Sequence, residues 1–118
     1  MISIGILKKG IYEAEKSDMR FEVGAVIFNG AKIFGSGHNY TGKSKKIHPK
    51  YRNKKPAVHA EQSAILKVKD WKKLSGASIL VIRLTNVDNM LSMAYPCQMC
   101  MNMIQFVGIK NIYYSISL

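Results

Sequence analysis

The chain has 118 residues, of which 47% are apolar, and its 18 Lys and Arg against 7 Asp and Glu give a net charge of +11. This length predicts one domain, residues 1–118, with a core of ordinary size, and the composition excludes a disordered chain. No apolar run is long enough to cross a bilayer, the N-terminus lacks the pattern of a secretory signal, and the charge indicates acidic partners such as phosphates or nucleic acid.

The first part of the chain predicts a helix followed by a hairpin. Apolar residues at helical spacing predict a helix over residues 4–18, and the apolar run 21–28 predicts a buried strand. Asn29-Gly30 is a strong signal for a hairpin turn, so residues 31–36 are expected to return as a second strand. Gly37-His38-Asn39 ends that strand, and a lysine-rich loop follows.

The second part predicts two helices alternating with two strands. Pro56 suits the first turn of a helix that runs to about Trp71, and residues 78–84 form a strand that is apolar on both faces, as in parallel sheets. Pro96 opens another helix, which Gly108 ends, and residues 111–116 form the last strand. This order predicts an α/β fold with a mixed sheet of four or five strands and helices on both faces.

Two short segments carry the chemistry: His59-Ala60-Glu61, and Pro96-Cys97 with Cys100 three residues further on. One histidine and two cysteines are three ligands for a tetrahedral Zn²⁺ whose fourth position stays open for water, as a catalytic zinc requires. Two cysteines alone could also form a redox dithiol, a structural zinc knuckle or small buried groups. Having no further cysteines, the chain fits a reducing, cytoplasmic location.

A structural zinc would need a fourth ligand, and neither His38 nor His48 has ligand-pair spacing with His59. His59 and Cys97 are both expected in the first turn of a helix, where the N-terminus favours thiolates. Glu61 is then placed to move protons from a zinc-activated water to a ring nitrogen and to departing ammonia. This H-x-E and P-C-x-x-C pattern is typical of zinc-dependent nucleobase deaminases.

With these residues in view, the chain resembles the cytidine/deoxycytidylate deaminase superfamily over nearly its whole length. Residues 21–30 and 35–39 resemble the first hairpin of that family, in which a V-G-A-V strand precedes a strand ending in G-x-N. The resemblance implies a cytidine deaminase-like three-layer fold, a Zn²⁺ cofactor and assembly into a homo-oligomer. It also implies that Asn39 contacts the substrate's sugar. Alternatively, Asn39 is only a residue that the turn requires. The base pocket is expected to include Val23, Ala25 and Ala60.

The chain also departs from that family in several places. Met93-Ala94-Tyr95 replaces the residues that many relatives carry before Pro-Cys, so the pocket wall should differ, with Tyr95 either stacking on a base or packing in the core. Residues 86–93 lengthen the preceding loop and are a candidate lid. The chain ends at its last predicted strand, where many relatives continue with a fifth strand. The P-C-x-M-C pattern is similar to tRNA adenosine deaminases and guanine deaminases.

The lysine-rich loop, residues 43–55, is expected at the mouth of the site, where it would bind a 5′-phosphate, follow a single-stranded nucleic acid or simply be solvated. The compact chain favours cytosine deamination in a free nucleotide or nucleoside of dCMP or cytidine type. The alternatives are deamination of cytosine or adenine in single-stranded DNA or tRNA, and a non-catalytic zinc-containing binding module. A purely structural zinc site would not explain the presence of Glu61, and a redox dithiol would not explain that of His59.

Overall fold

The structure is a computed structural model that describes residues 2–42, 57–85 and 90–116. Three α-helices, seven strands and one short 3₁₀ helix follow one another along these residues. In chain order they are α1 (Ile4–Glu15), β1 (Glu22–Asn29), β2 (Lys32–His38), β3 (Tyr40–Thr41), β4 (Ala57–Val58), α2 (Ala60–Leu66), the 3₁₀ helix (Trp71–Leu74), β5 (Ser78–Leu84), β6 (Leu91–Ser92), α3 (Gln98–Phe106) and β7 (Asn111–Tyr114).

Five of the strands form one mixed sheet, as predicted. β1 lies antiparallel between β2 and β5, and the far side of β5 pairs with both β7 and β6. β7 runs parallel to β5 along Ser78–Val81, whereas β6 is antiparallel to the end of β5 and places Ser92 opposite Arg83. The parallel pair is connected through α3, which is the crossover that a parallel pair requires.

Helices cover both faces of the sheet and produce two separate cores. Ile79 and Val81 of β5 pack with α2 and α3 on one face, while Leu80 and Ile82 pack with α1 on the other. This two-sided burial explains the continuous apolar run of β5. The predicted mixed sheet is confirmed, since β7 is parallel to β5 whereas β1 and β6 are antiparallel to it.

Two glycines let the helices approach the sheet closely. A side-chain carbon on Gly24 of β1 would collide with the Gly10 carbonyl of α1, and one on Gly37 of β2 would lie 2.6 Å from the backbone nitrogen of Ala64 in α2. The glycines in the V-G-A-V and G-S-G-H segments are therefore required by packing. They bring α1 and α2 onto opposite faces of the same hairpin.

The helix boundaries differ from the predicted ones because short strands occupy part of the predicted helix and loop. Ala57–Val58 pairs with Tyr40–Thr41, so the helix predicted from residue 56 begins only at Ala60. It ends at Leu66, and Asp70 starts the separate 3₁₀ helix by accepting a hydrogen bond from Lys72 N. Leu91–Ser92, predicted as loop, is the strand β6.

The other predicted ends are closer to those observed. Gly30 at the hairpin turn and Gly108 after α3 both have positive φ, at 59° and 89° respectively, as these positions require. β2 continues through His38 instead of ending at residue 36. No helix in residues 2–42, 57–85 and 90–116 is long and apolar enough to span a bilayer.

A buried carboxylate fastens α1 to β2. Glu13 is only 2% exposed; its Oε2 accepts a hydrogen bond from the Ser36 hydroxyl at 2.8 Å, and its Oε1 lies 3.4 Å from His38 Nδ1. Lys9 and Lys16 place their ammonium groups 3.8 and 3.5 Å from this carboxylate. Burial raises the pKa of Glu13, but the hydrogen bonds from Ser36 and His38 and the charges of Lys16 and Lys67 more than offset it, so the pKa is lowered.

Because the folded-state pKa of Glu13 lies below its ordinary value of 4.5, its contribution to stability is present above that pH and is lost as the pH falls further. We expect Glu13→Gln to lower the free energy of unfolding at pH 7 by about 1–3 kcal/mol. The difference from the unsubstituted protein should shrink below pH ~4.5. Urea unfolding at several pH values measures both.

The matched control is Glu15→Gln, which changes an exposed carboxylate in the same helix and should stay within about 0.5 kcal/mol of the unsubstituted protein. Equal losses for the two variants at every pH would contradict the role given to Glu13.

Candidate metal centre and active site

The predicted zinc ligands lie where the N-termini of α2 and α3 converge. His59 and Cys97 are the N-cap residues of these helices, each with extended backbone, so both precede the first helical turn in which the sequence placed them. Gln62 Oε1 accepts a hydrogen bond from His59 N at 3.1 Å and fixes the backbone at the start of α2. Cys100 lies one turn into α3 and is fully buried.

The three side chains are close enough to share one metal ion. His59 Nδ1 lies 3.1 Å from Cys100 Sγ and 3.6 Å from Cys97 Sγ, and all three potential ligand atoms lie within 4.8 Å of one another. A tetrahedral zinc with ordinary bond lengths would separate its nitrogen and sulfur ligands by about 3.6 Å. The donor set and its spacing therefore fit zinc. In the described part of the chain no other three such side chains come together.

The pKa values of the two thiols are shifted in opposite directions. A hydrogen bond with Cys100 lowers the pKa of Cys97 to about 5, with backbone hydrogen bonding and His59 acting in the same direction against the effect of burial. The same hydrogen bond, together with burial, raises the pKa of Cys100. These shifts favour the thiolate at Cys97, the form that a metal ion binds, and metal binding would displace the proton of Cys100.

Glu61 lies beside this cluster without belonging to it. It sits in the first turn of α2 and is only 6% exposed. Burial raises the pKa of this carboxyl against the opposing effects of backbone hydrogen bonding and His59. A carboxyl group with a raised pKa is suited to accept and return a proton within one reaction cycle.

A cavity of about 330 Å³ adjoins these groups, and His59, Glu61 and Cys97 form part of its wall. Of the residues predicted to contact substrate, Val23, Asn39 and Ala60 also line it. Ala25 does not line it. This residue is completely buried in the core between the sheet and α2, one inward-facing position beyond Val23, and its contact with a base stays a prediction.

Two alternative roles were open for Asn39, a contact with the substrate's sugar or a place in a turn. Asn39 is not only a turn residue, because its Oδ1 accepts a hydrogen bond from Val23 N at 2.9 Å and its Nδ2 donates to the Phe21 carbonyl at 2.6 Å. These bonds fix the entry to β1 at the cavity wall. Contact between Asn39 and a sugar stays a prediction.

Comparison with known proteins identifies the family to which the chain belongs. Residues 5–116 match the family described as the cytidine and deoxycytidylate deaminase zinc-binding region. The chain belongs to this family. The resemblance predicted from the H-x-E, P-C-x-x-C and V-G-A-V segments is thereby confirmed. Comparison with curated proteins gave no significant match.

Solved structures show the same fold for this deaminase family member. The dCMP deaminase of cyanophage S-TIM5 in its apo form has a TM-score of 0.60 and 24% identity, covering 96% of this chain and 84% of that one. Its complex with dCMP and dUMP also gives a TM-score of 0.60, at 23% identity and with 97% and 83% covered.

A third match is a diaminohydroxyphosphoribosylaminopyrimidine deaminase/5-amino-6-(5-phosphoribosylamino)uracil reductase from Thermotoga maritima. Its TM-score is 0.56 at 24% identity, covering 92% of this chain but 28% of that one. Together these structures confirm the predicted deaminase fold.

The cavity also contains residues that the sequence did not single out. Arg20, Phe21 and Arg83 line it. Arg83 had a visible signal, since it is the one charged residue in the apolar run of β5. Tyr95 is 58% exposed at this cavity and meets Tyr114 edge to face with ring centroids 5.0 Å apart, so it does not pack in the core.

The lysine-rich loop of residues 43–55, which includes His48, lies outside the described residues, as do residues 86–89 of the predicted lid. The rest of that predicted lid contains β6, whose pairing with β5 makes it part of the sheet.

Removing a ligand of the candidate metal centre should remove the metal. We expect about one zinc per chain in the purified protein and little in His59→Ala, because two thiols alone bind zinc weakly. Atomic emission spectroscopy on equal protein concentrations measures this. His38→Ala is the matched control and should retain zinc, since His38 contacts Glu13 and lies outside the cluster. Equal zinc contents in the two variants would contradict the assignment.

Proposed function

We propose that this protein is a zinc-dependent hydrolytic deaminase that converts cytosine to uracil in a free nucleotide or nucleoside. The proposal rests mainly on the triangle of His59 Nδ1 and two cysteine sulfurs beside the buried Glu61. Membership of the cytidine and deoxycytidylate deaminase family supports the reaction class. A fold neighbour whose structure contains dCMP and dUMP supports the substrate class.

In this proposal His59, Cys97 and Cys100 hold the zinc ion. When bound, zinc supplies the Lewis acidity that makes hydroxide accessible near neutral pH. Glu61 accepts a proton from the attacking water and passes it to N3 of the ring. A bond forms between the water oxygen and C4, the C4–N bond breaks, and Glu61 helps transfer a second proton to the amine, which leaves as ammonia.

The cavity suits one small ligand. Its volume of about 330 Å³ is near the lower end of the range for small-molecule sites. Val23, Ala60 and Val81 supply apolar wall atoms that a planar base can pack against. The hydrogen bonds between the Asn39 side chain and the backbone of Phe21 and Val23 keep one side of this wall in place.

Two observations favour a second candidate, deamination of a base within a polynucleotide. The net charge of +11 would attract a phosphate backbone, and Tyr95 presents an exposed ring at the cavity. A non-catalytic zinc module is disfavoured because it would leave the buried Glu61 beside the metal site without a role. Homo-oligomer formation and a cytoplasmic location stay predictions.

Replacing Glu61 should stop catalysis without removing zinc from the metal site. We expect Glu61→Gln to lower kcat for ammonia release by at least about 100-fold, because it removes a general base and acid, and to keep its zinc. Glu15→Gln, an exposed substitution in α1, is the control for activity. Ammonia release that is unchanged in zinc-loaded Glu61→Gln would refute the proposed role of Glu61.

The substrate class is tested by comparing turnover of dCMP, deoxycytidine, adenosine and cytosine-containing single-stranded oligonucleotides across a salt series. We expect the free cytosine compounds to react. Reaction of oligonucleotides only, with a rate that falls steeply as salt rises, would instead favour the polynucleotide enzyme.

A further inference from the structure

A second cavity, here called the basic cavity, lies at the other end of α2 from the metal cluster. Its volume is about 220 Å³, and it is formed by the start of β2 and by the segment that follows α2. Three apolar side chains line it, those of Ile33, Phe34 and Val68. Four exposed lysines also line it, namely Lys32, Lys67, Lys69 and Lys73.

The basic cavity is separate from the candidate active site. The two cavities have no lining residue in common. α2 begins next to His59 and ends next to Lys67, so the helix length of about 10 Å lies between them. Along β1, Val23 lines the first cavity, whereas Phe28 pairs with Ile33 of the second. A ligand in the basic cavity would therefore not contact the metal cluster.

The positive charge of the basic cavity is not balanced by acidic groups. The ion pairs in the described part of the chain all involve Glu13, and none involves a lysine of this cavity. Asp70 is the one acidic residue among those that line it, and its Oδ1 already accepts a hydrogen bond from Lys72 N at 3.1 Å. Lys67 also contributes to the lowered pKa of Glu13. Four lysines against one aspartate leave a surplus of three positive charges.

Structural roles explain only part of this lysine cluster. Lysines often protect the edge of a sheet, and Lys32 lies on β2, the last strand at one side of the sheet. Lys67 is the C-cap of α2, where a positive charge stabilises the helix dipole. Lys69 has neither role, because it lies in the loop between α2 and the 3₁₀ helix. Lys73 places its ammonium group 5.4 Å from the ring centroid of Phe34.

The size and the aromatic groups of the basic cavity favour a polymer as its ligand. The volume lies below the range of about 300–1,000 Å³ that is usual for small-molecule sites. A ligand would therefore place one part there and extend over the lysines around it. Single-stranded nucleic acid alternates charged phosphates with flat bases, and its binding sites combine positive charge with aromatic rings. Phe34 lines the cavity, and Trp71, which directly follows Asp70, is 53% exposed.

We propose that the basic cavity binds the sugar-phosphate backbone of a single-stranded nucleic acid, with Trp71 stacking on a base next to the bound phosphates. Lys32 contacts the phosphates from β2, and Lys69 and Lys73 contact them from the segment after α2. This site is independent of the proposed deamination, because it uses no residue of the metal cluster or of the cavity beside it. It holds the protein on nucleic acid while leaving the active-site cavity open.

Fluorescence anisotropy with a labelled oligothymidylate of about 12 nucleotides tests this surface. Thymine has no exocyclic amine, so binding of this probe is measured without deamination. We expect the triple variant Lys32→Gln, Lys69→Gln and Lys73→Gln to bind it at least about 10-fold more weakly at low salt. The slope of log affinity against log salt should become shallower by about 2, since each phosphate contact on a single strand contributes about 0.7.

Three kinds of variant control for charge, position and stacking. Arginine at the same three positions keeps the charges and should retain the affinity. Lys8→Gln removes an exposed charge from α1, which packs on the opposite face of the sheet, and should leave the affinity unchanged. Trp71→Ala should weaken binding of the oligothymidylate about 10-fold but not that of an abasic oligomer of the same length. Thermal unfolding of each variant excludes a general loss of structure.

Equal affinities of the triple glutamine variant and Lys8→Gln would overturn the inference, as would an unchanged affinity in Trp71→Ala. Displacement of the oligothymidylate by dUMP would also overturn it, since the oligomer would then occupy the cavity beside His59. A glutamate polymer that binds as tightly as the oligothymidylate would assign the lysines to an acidic protein instead.

Turnover of dCMP shows that the two sites are separate. The triple glutamine variant should release ammonia at the rate of the unsubstituted protein, and a parallel loss of turnover and of oligomer binding would contradict two independent sites. Salt-dependent oligomer binding that needs the three lysines, with no ammonia released from dCMP by any variant, would refute the proposed deaminase and support the nucleic-acid site.

Discussion

The convergence of two helix N-termini on one point is the constraint on which the rest of the structure depends. His59 is 38 residues from Cys97 and 41 from Cys100, yet its Nδ1 comes within 3.6 and 3.1 Å of their sulfurs. This is possible because α2 and α3 pack on the same face of the sheet. Gly37 permits the close approach of α2, and the β5–α3–β7 crossover places α3 beside it.

The same arrangement joins the metal cluster to a cavity. Because His59 and Cys97 are N-caps, their side chains lie beyond the helix ends, where the cavity begins. Glu61, two residues after His59 in the first turn of α2, is buried beside Cys100. A ligand in the cavity would therefore meet the His59 and Cys97 side chains, the Glu61 carboxyl group and the arginines of the wall.

Much of the fold could be predicted because its signals are local. Asn29-Gly30 marks the hairpin, Gly108 ends α3, and the H-x-E and P-C-x-x-C segments contain the three residues of the candidate metal cluster. The start of α2 could not be predicted, since Ala57–Val58 becomes a strand only by pairing with Tyr40–Thr41, which lies 16 to 18 positions earlier in the chain. β6 was missed for a similar reason, because two residues carry no strand pattern of their own.

The site was predicted less completely than the fold. Val23 and Ala25 both point to the α2 face, and only the packed structure shows that Ala25 is covered while Val23 reaches the cavity. Arg20 was missed because it lies next to the hairpin without a motif of its own. Arg83 was missed because the apolar run around it was interpreted only as a strand.

X-ray absorption at the zinc edge of the purified protein tests the shared metal site most directly. The convergence of His59, Cys97 and Cys100 predicts a first shell of two sulfurs at about 2.3 Å, with one imidazole nitrogen and one light atom from solvent at about 2.0–2.1 Å. A shell in which all four positions are filled by protein sulfur and imidazole, or the absence of zinc from the fully folded protein, would contradict an open catalytic centre at this position.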